Sequence, residues 1–313
     1  MTTTEIDRPT ARSRSAELRR KIESVVAIDD ARIEPVLIAL LAGGHVLIDG
    51  VPGIGKTLLA RTLARGVDCD FKRIQFTNDL MPSDVVGAQV WRAASETFEF
   101  VPGPLFANIV LADEINRTSP RTLSCLLEAM ENGRVSVDGR DHRLAEPFLV
   151  LATRNPIEFH GTFPVPEAAL DRFLVRVELG YPEPERELAL YRGEDPEAVL
   201  GGLTPAFDRD ALRSMIAEVG RIHVSEPVAR FALRAVEATR RSGDLVVGAS
   251  PRAAMAWLQA ARARALLHGR GHALPDDLKA IALPVLAHRL MRRDGGPADE
   301  VVADLIQGVP VGL

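Results

Sequence analysis

The sequence predicts an α/β protein in which a parallel sheet lies between helices, followed by a small domain made only of helices. Three observations lead to this prediction. In the first part of the chain, short and nearly continuous apolar runs alternate with segments of helical periodicity, as in strands buried on both faces. A glycine-rich turn joins the first of these runs to a helix. After about residue 205 the helix start signals continue, and no strand pattern of any strength remains.

Composition places the chain among globular proteins and disfavours several other classes. Its 313 residues are 46% hydrophobic and 26% charged, enough for a core in one large or two moderate domains. A net charge of −5 disfavours a generic nucleic-acid-binding protein, because such proteins are usually basic. The longest uncharged apolar stretch, residues 35–48, is too short to span a bilayer. Two cysteines and a polar start without a signal-peptide core predict a cytoplasmic protein.

The N-terminal part is predicted to be a disordered tail over residues 1–14 and two helices over residues 15–28 and 31–41. Apolar side chains recur along the second helix at i, i+3, i+4, i+7 and i+8, which is one helical face. Gly43-Gly44 ends that helix in the manner of a glycine C-cap. Three elements follow: a buried strand over 45–49, the glycine-rich turn over 50–57, and a helix over 58–65.

Further apolar runs continue the sheet and are broken in two places by hairpins. The runs predict strands over residues 72–76, 108–112, 148–153 and 173–179. A helix over 120–131 has Ser119 as its N-cap and Gly133 just beyond its end. Residues 89–102 and 134–145 are predicted β-hairpins, and the second turns at Asp138-Gly139.

Composition changes over residues 181–207, which are rich in Pro, Glu and Gly and predict a hinge. Helices are then predicted over 208–222, 226–242, 251–268 and 275–291. The division predicted from these features is an α/β core over 15–185, a linker over 186–206 and a helical lid domain over 207–313.

Residues 50–57 (GVPGIGKT) fit the pattern G-x-x-x-x-G-K-[ST] between a predicted strand and a predicted helix, which is the context that this phosphate-binding motif needs. Glycines let backbone N–H groups point inward at phosphates, and the helix directs its positive end to the same place. Lys56 would reach the β- and γ-phosphates, and the Thr57 hydroxyl would ligate Mg²⁺. A chance match is disfavoured by this context. The predicted nucleotide contacts are Gly50, Pro52, Gly53, Ile54, Gly55, Lys56, Thr57 and Leu58.

A buried apolar run ends in Asp113 and Glu114, at the sheet edge where α/β proteins gather their ligands. Asp113 is predicted to hold Mg²⁺ through water, and Glu114 to orient and polarise the attacking water. An apolar run ending in Asp-Glu is weak evidence alone. Together with the glycine-rich turn it predicts an ATPase that binds Mg²⁺ and ATP and hydrolyses the ATP to ADP and phosphate.

Three other polar side chains are candidates for the catalytic machinery. Asn155 follows a predicted strand and is placed to hydrogen-bond a γ-phosphate or the lytic water, although Asn before Pro156 is often only a turn residue. Arginines supplied in cis or in trans stabilise the charge of phosphoryl transfer, and Arg172 and Arg252 are the candidates. Arg252 falls in the first turn of a helix capped by Ser250, where a cation opposes the helix dipole. A surface or salt-bridging arginine remains the alternative for both.

Six segments in order carry a resemblance to a known family: GVPGIGKT (50–57), RIQFTNDLMPSDVVG (73–87), FVPGPLFANIVLADEINR (100–117), LLEAMENGRVSVDG (126–139), LATRNPIEFHGTFPVPEAALDRF (151–173) and GASPRAA (248–254). This ordered set resembles the MoxR family of AAA+ ATPases from about residue 15 to 310. The chain departs from the family pattern in two places. Arg154 stands where Gln is common, and Thr118-Ser119-Pro120-Arg121 replaces the more usual Ala-Pro-Pro-Lys.

The resemblance implies an AAA+ module, a nucleotide-binding α/β core with a helical lid, of the clade with a hairpin inserted into its second helix. It implies that Asn155 is sensor 1, Arg172 the arginine finger acting on a neighbouring subunit, and Arg252 sensor 2, in cis or in trans. Family members are ring oligomers, usually hexamers, that act as chaperone-like remodellers in the maturation or activation of protein complexes. Their partners often carry a von Willebrand factor A domain.

Two alternatives stay open at this point. One is the ATPase subunit of a metal chelatase, which shares the inserted-hairpin architecture. The other is a nucleotide-gated binding scaffold with little turnover, against which the intact Asp113-Glu114 pair speaks. Neither a nucleic-acid partner nor a membrane span is expected.

Overall fold

The structure is a computed structural model that describes residues 8–155 and 163–310. Its strands are β1 (Val46–Asp49), β2 (Phe71–Gln75), β3 (Gly87–Arg92), β4 (Thr97–Pro102), β5 (Ile109–Asp113), β6 (Arg134–Val137), β7 (Arg140–Arg143), β8 (Leu149–Arg154), β9 (Val175–Glu178), β10 (Leu245–Val247) and β11 (Met291–Arg292).

Its helices are α1 (Arg8–Val25), α2 (Asp30–Ala42), α3 (Lys56–Gly66), α4 (Pro82–Val86), α5 (Pro120–Asn132), α6 (Glu167–Leu170), α7 (Pro184–Tyr191), α8 (Pro196–Gly202), α9 (Arg209–Val219), α10 (Glu226–Arg241), α11 (Pro251–Leu267), α12 (Pro275–Ala280), α13 (Ala282–Leu286) and α14 (Asp299–Gly308). Two short 3₁₀ turns span Ile115–Arg117 and Ala287–Arg289. Within residues 8–155 and 163–310, no helix is long and apolar enough to cross a membrane.

Five strands form one parallel sheet in the order β2-β5-β8-β1-β9. Residues of β1, β5 and β8 are buried almost throughout, as expected of strands covered on both faces. In the register, Asp49 at the end of β1 lies beside Arg154 of β8, and Gln75 of β2 lies beside Asp113 of β5. The carboxyl ends of these strands therefore meet at one edge of the sheet.

Apolar side chains pack on both faces of this sheet in two clusters. Val46 and Ile48 of β1 belong to one cluster and Leu47 to the other, because successive side chains of a strand point to opposite faces. The first cluster runs from the sheet through α1 and α2 into the C-terminal helices, where Trp257 of α11 is fully buried. Because α2 and α11 both contribute to this first cluster, α11 packs against α2 and the lid helices are fixed relative to the sheet.

The predicted α/β architecture, its parallel sheet and both hairpins are confirmed. β3 pairs with β4 and β6 with β7, each pair antiparallel. The turn between β6 and β7 has φ of 48° at Asp138 and 75° at Gly139, the two positive values that a type I′ turn requires. The Ser119 hydroxyl caps α5, and Gly43 and Gly133 end α2 and α5 in the left-handed conformation.

The predicted disordered tail over 1–14 is wrong for residues 8–14, because α1 begins at Arg8 and not at residue 15. Residues 1–7 lie outside the described part of the chain. Ala11, Leu18, Ile22 and Val25 are buried at helical spacing and carry α1 onto the first apolar cluster. The stripe is narrow and lies among arginines and serines, so composition alone suggested a polar tail.

Three predictions for the C-terminal part also need correction. The segment predicted as a linker over 186–206 contains most of α7 and all of α8. The helix predicted over 275–291 ends at Ala280, because Pro284 has no N–H for the Ala280 carbonyl and its ring clashes with that group. The lid is not all helical, since β10 pairs with β11. α14 was not predicted, and the domain boundaries themselves stay a prediction.

Candidate active site

The glycine-rich turn connects the buried end of β1 to the first residue of α3, as predicted. Gly53 and Gly55 have φ of 83° and 91°, which is left-handed backbone that glycine adopts without a steric penalty. Gly50 is required for a different reason. A Cβ at this position would lie 2.5 Å from Ile54 Cδ1 and 2.7 Å from the Leu179 carbonyl oxygen. The turn is therefore closely packed at Gly50 and open at Gly53, and it lies at the positive end of α3.

Lys56 lies across this turn. Its Nζ donates a hydrogen bond of 2.8 Å to the backbone oxygen of Gly50, and the side chain is half-buried. The ammonium group is thus held over the backbone amides that a phosphate would contact. Thr57 follows as the second residue of α3 and is also half-buried.

A cavity of about 320 Å³ opens beside the turn. Gly53, Ile54, Gly55 and Leu58 line one side of it, which places these predicted nucleotide contacts around a single space. The other side is formed by the end of α1 with the residues after it, and by Pro182, α7 and α8. Apolar walls next to a phosphate cradle suit the base and sugar of a nucleotide.

Asp113 ends β5 at the same edge of the sheet and is 8% exposed. One carboxylate oxygen accepts a hydrogen bond of 2.5 Å from the Thr153 hydroxyl. The other accepts from Arg73 of β2, at 2.6 Å from Nη2 and 3.1 Å from Nε. Both oxygens are thereby fixed in direction, which is what a ligand to a metal-bound water needs.

Glu114 leaves the strand in the left-handed region with φ of 59°, an uncommon conformation for a residue with a side chain. Its carboxylate accepts a hydrogen bond of 2.8 Å from Gln75 Nε2 and pairs with Arg117 Nε at 3.0 Å. Its backbone N–H donates to the Thr153 hydroxyl at 2.8 Å. This backbone turn directs the Glu114 side chain away from the path of the strand.

Thr153 is a site residue that the sequence analysis missed. It is fully buried in β8, and its single hydroxyl both donates to Asp113 and accepts from the Glu114 backbone. Arg73 was missed as well. Both lie in segments used for the family resemblance, but neither has a spacing signal, because each contact crosses from one strand to the next.

Asn155 follows β8 directly and is 5% exposed, so it lies at the predicted sheet edge. Its backbone oxygen accepts a hydrogen bond of 3.4 Å from Asn116 Nδ2. The next residues of the chain, 156–162, lie outside the described part. The position supports the predicted sensor role, which itself stays a prediction.

Arg154, one of the two departures from the family pattern, has a partner on the neighbouring strand. Its Nε and Nη2 donate to the two carboxylate oxygens of Asp49, each at 2.7 Å. These hydrogen bonds raise the pKa of Arg154, against the effect of its burial. Asp49 is the residue immediately before Gly50, so this bidentate pair braces the base of the glycine-rich turn.

Arg172 and Arg252 are brought together, and their partners lie outside both the glycine-rich turn and the end of β5. Arg172 Nη2 donates to one oxygen of Glu131 at 2.8 Å, and Arg252 Nη1 donates to the other at 3.1 Å. Arg252 Nε also lies 3.5 Å from a carboxylate oxygen of Asp171. The structure therefore joins a core arginine and a lid arginine through one carboxylate.

Comparison with known proteins agrees with this fold. The family model described as the ATPase family associated with various cellular activities (AAA) matches residues 45–175, and the AAA lid domain matches residues 237–306. A crystal structure of a candidate ATPase from Cytophaga hutchinsonii superimposes with a TM-score of 0.88 at 32% sequence identity. The match covers 98% of this chain and 97% of that one.

Proteins similar in sequence cover most of the chain. YeaC of Bacillus subtilis is 44% identical over 280 residues, which is 88% of each protein. Chaperone MoxR1 of Mycobacterium tuberculosis is 40% identical over 91% of this chain and 78% of its own length. Protein MoxR of Methylorubrum extorquens is 31% identical over 95% and 94%. With its glycine-rich turn, its paired carboxylates and its helical lid, the chain belongs to the MoxR family of AAA+ ATPases.

Proposed function

We propose that this protein hydrolyses Mg-ATP and uses the cycle, as a ring of identical subunits, to remodel other protein complexes. One observation carries the catalytic part of this proposal. The glycine-rich turn at the start of α3 and the Asp113-Glu114 pair, oriented by Thr153, lie at the same edge of one sheet. That edge is where the ligands of parallel α/β proteins bind.

The residues present fit a magnesium nucleotide. The open face of the turn at Gly53, where a Cβ would meet nothing within 4 Å, leaves the backbone accessible to phosphate oxygens. The Thr57 hydroxyl and the Asp113 carboxylate are hard oxygen donors of the kind that Mg²⁺ prefers. Bound Mg²⁺ would neutralise charge that develops on the transferred phosphoryl group.

The chain's own residues divide the remaining work. Lys56 would exchange its bond to the Gly50 oxygen for phosphate oxygens, which costs little because the carbonyl is an uncharged partner. Glu114 would accept a proton from, or orient, the attacking water after its bond to Gln75 opens. Asn155, at the end of β8, would hydrogen-bond the γ-phosphate or that water.

Arg172 and Arg252 are proposed to act in trans. Both donate to the carboxylate of Glu131, so the guanidinium groups of the lid arginine and the core arginine lie close together. In this proposal the subunits form a head-to-tail ring, and the two arginines of one subunit contact the nucleotide of the next. Head-to-tail interfaces close into rings when the rotation permits. We propose a hexamer on the basis of the family.

The remodelling role is supported by family membership and by a relative that carries the name Chaperone MoxR1. A partner with a von Willebrand factor A domain, and clients that are protein complexes, belong to the same proposal. A cytoplasmic location stays a prediction. No contact among the described residues favours either alternative, the metal-chelatase subunit or the nucleotide-gated scaffold.

Steady-state ATP turnover, nucleotide affinity and oligomeric state test the proposal together. Lys56→Ala is expected to lose nucleotide binding, and Glu114→Gln to bind ATP but lose turnover. Arg172→Ala is expected to bind ATP normally and lose turnover, and mixing it with Lys56→Ala subunits should restore part of the activity. Arg230→Ala, whose partner Glu226 is an exposed residue on the same helix, is the control. Full turnover by Arg172→Ala would show that the assignment in trans is wrong.

A further inference from the structure

Five charged side chains meet where the end of α5 and the segment after α6 contact the lid. They form what we call the Glu131 cluster: Glu131, Asp171, Arg172, Arg252 and Arg289. Glu131 accepts Arg172 on one oxygen and Arg252 on the other, at 2.8 and 3.1 Å. Asp171 lies 3.4 Å from Arg289 Nε and 3.5 Å from Arg252 Nε. Core and lid are therefore joined by carboxylates that each face two arginines.

Glu131 and Arg252 both sit where their own helices disfavour them. Glu131 is in the last turn of α5, where the carbonyl end of the helix repels a carboxylate. Arg252 is in the first turn of α11, where the amide end repels a guanidinium, and Ser250 already caps that end. Neither charge is explained by the stability of its helix, so the contact between them has to account for both.

Arg289 binds the backbone of the core segment that carries Asp171 and Arg172. Its side chain is 4% exposed, and Nη2 donates to the backbone oxygens of Phe173 at 2.7 Å and Asp171 at 3.2 Å. Burial lowers the pKa of Arg289 to about 10, which leaves it charged at neutral pH. The backbone on both sides of Arg172 is thereby fixed.

The cluster contains more positive than negative charge. Three guanidinium groups face two carboxylates, which leaves one positive charge within the cluster. Nε of Arg172 and Nη1 of Arg289 have no hydrogen-bond partner among the described residues. The exposed side is formed by Arg252 and Glu131, with 48% and 39% of their side chains accessible. The net charge of the cluster as a whole is therefore positive and attracts anions, and its accessible side is the one that Arg252 and Glu131 form.

We propose that Glu131 is a positioning residue, which holds Arg172 and Arg252 side by side so that they reach one phosphoryl group of a neighbouring subunit together. This inference rests on the proposed function. The two oxygens of a single carboxylate lie close to each other, so each arginine that binds one oxygen is kept near the other arginine. Without Glu131, two like charges would repel, and Arg252 would keep only its longer contact to Asp171.

Glu131→Ala tests the inference through the separation of kcat from KM. We expect kcat for ATP to fall roughly tenfold or more while KM changes by less than about twofold, since the two arginines act on the transition state and not on ground-state binding. Glu131→Gln should lie between, because its one amide oxygen accepts from only one arginine well. The matched control is Glu237→Ala, a 41% exposed carboxylate that pairs with Arg241 on α10.

Two further measurements separate positioning from a general structural role. In an Arg172→Ala, Arg252→Ala background, adding Glu131→Ala should change kcat by less than about twofold, because a residue that acts through others has no effect once they are gone. Lys56→Ala subunits should restore turnover to Glu131→Ala subunits, even if the substitution lowers the thermal unfolding temperature. Unchanged kcat in Glu131→Ala, with an active parent protein, would overturn this inference alone. No ATP turnover by the unsubstituted protein would overturn the proposed function.

Discussion

The hydroxyl of Thr153 offers a sharp test of how the two acidic residues are oriented. Thr153→Val keeps the shape of the side chain and removes the hydroxyl that donates to Asp113 at 2.5 Å and accepts from the Glu114 N–H at 2.8 Å. Thr153 is fully buried, so water cannot replace these bonds. Thr153→Ser is the matched control, because it keeps the hydroxyl and loses one methyl group.

The magnitude follows from the two bonds. Leaving the partly buried Glu114 N–H unpaired costs about 1–3 kcal/mol, and losing the hydrogen bond to the Asp113 carboxylate costs about 1.5–3 kcal/mol. Asp113 retains Arg73, which limits the total to about 2.5–5 kcal/mol. The serine control should lose only about 1 kcal/mol for its missing methyl.

Urea unfolding and steady-state ATP turnover measure the two consequences. We expect Thr153→Val to unfold at a clearly lower urea concentration than Thr153→Ser. We expect its kcat to be reduced roughly tenfold or more, because Asp113 and Glu114, the proposed metal-holding and water-orienting groups, both lose a fixed direction. Equal urea midpoints and equal kcat for the two variants would refute the view that this hydroxyl orients the pair.

Three other predictions concern the base of the turn, its packing and the response to acid. Arg154→Lys should destabilise the protein by about 1–3 kcal/mol and raise KM for ATP, because an ammonium cannot reproduce the bidentate pair with Asp49; urea unfolding and kinetics measure this. Gly50→Ala should cost about 1–3 kcal/mol and weaken nucleotide affinity, since its Cβ would lie 2.7 Å from the Leu179 carbonyl oxygen; calorimetric titration with ATP is the check. Burial lowers the pKa of His45 from 6.5 to about 4, so the unfolded chain takes up this proton first. The contribution of His45 to the free energy of unfolding is therefore fully present above pH 6.5 and is lost as the pH drops toward 4. The pH dependence of the urea midpoint should be weaker in His45→Gln.

Local patterns in the sequence were enough to predict much of the candidate site. The spacing of glycines, Lys56 and Thr57 after an apolar run, and the position of Asp113 and Glu114 after another, depend on neighbouring residues, so a linear pattern reveals them. The prediction for residues 8–14 was wrong because the buried stripe of α1 is too narrow to outweigh its polar composition. The predicted helix over 275–291 is broken after Ala280, four residues before Pro284, and the effect of this proline was readable from the sequence but was not used.

The features that the sequence could not show depend on contacts between segments that are far apart along the chain. Thr153 reaches Asp113 only because β8 and β5 are neighbours in the sheet. In the same way, β10 pairs with β11 although α11, α12 and α13 separate them along the chain. No spacing rule links such residues, since the sheet order is decided by which apolar faces pack together.

The sequence by itself determined the α/β class, the glycine-rich turn, the acidic pair and the candidate arginines, because each depends on residues that are close along the chain. Only the tertiary structure decided that Arg154 braces Asp49 and that Glu131 joins Arg172 to Arg252. The partners of these charges lie far away in sequence. Packing of the lid helices onto the sheet brings the last of them within hydrogen-bonding distance.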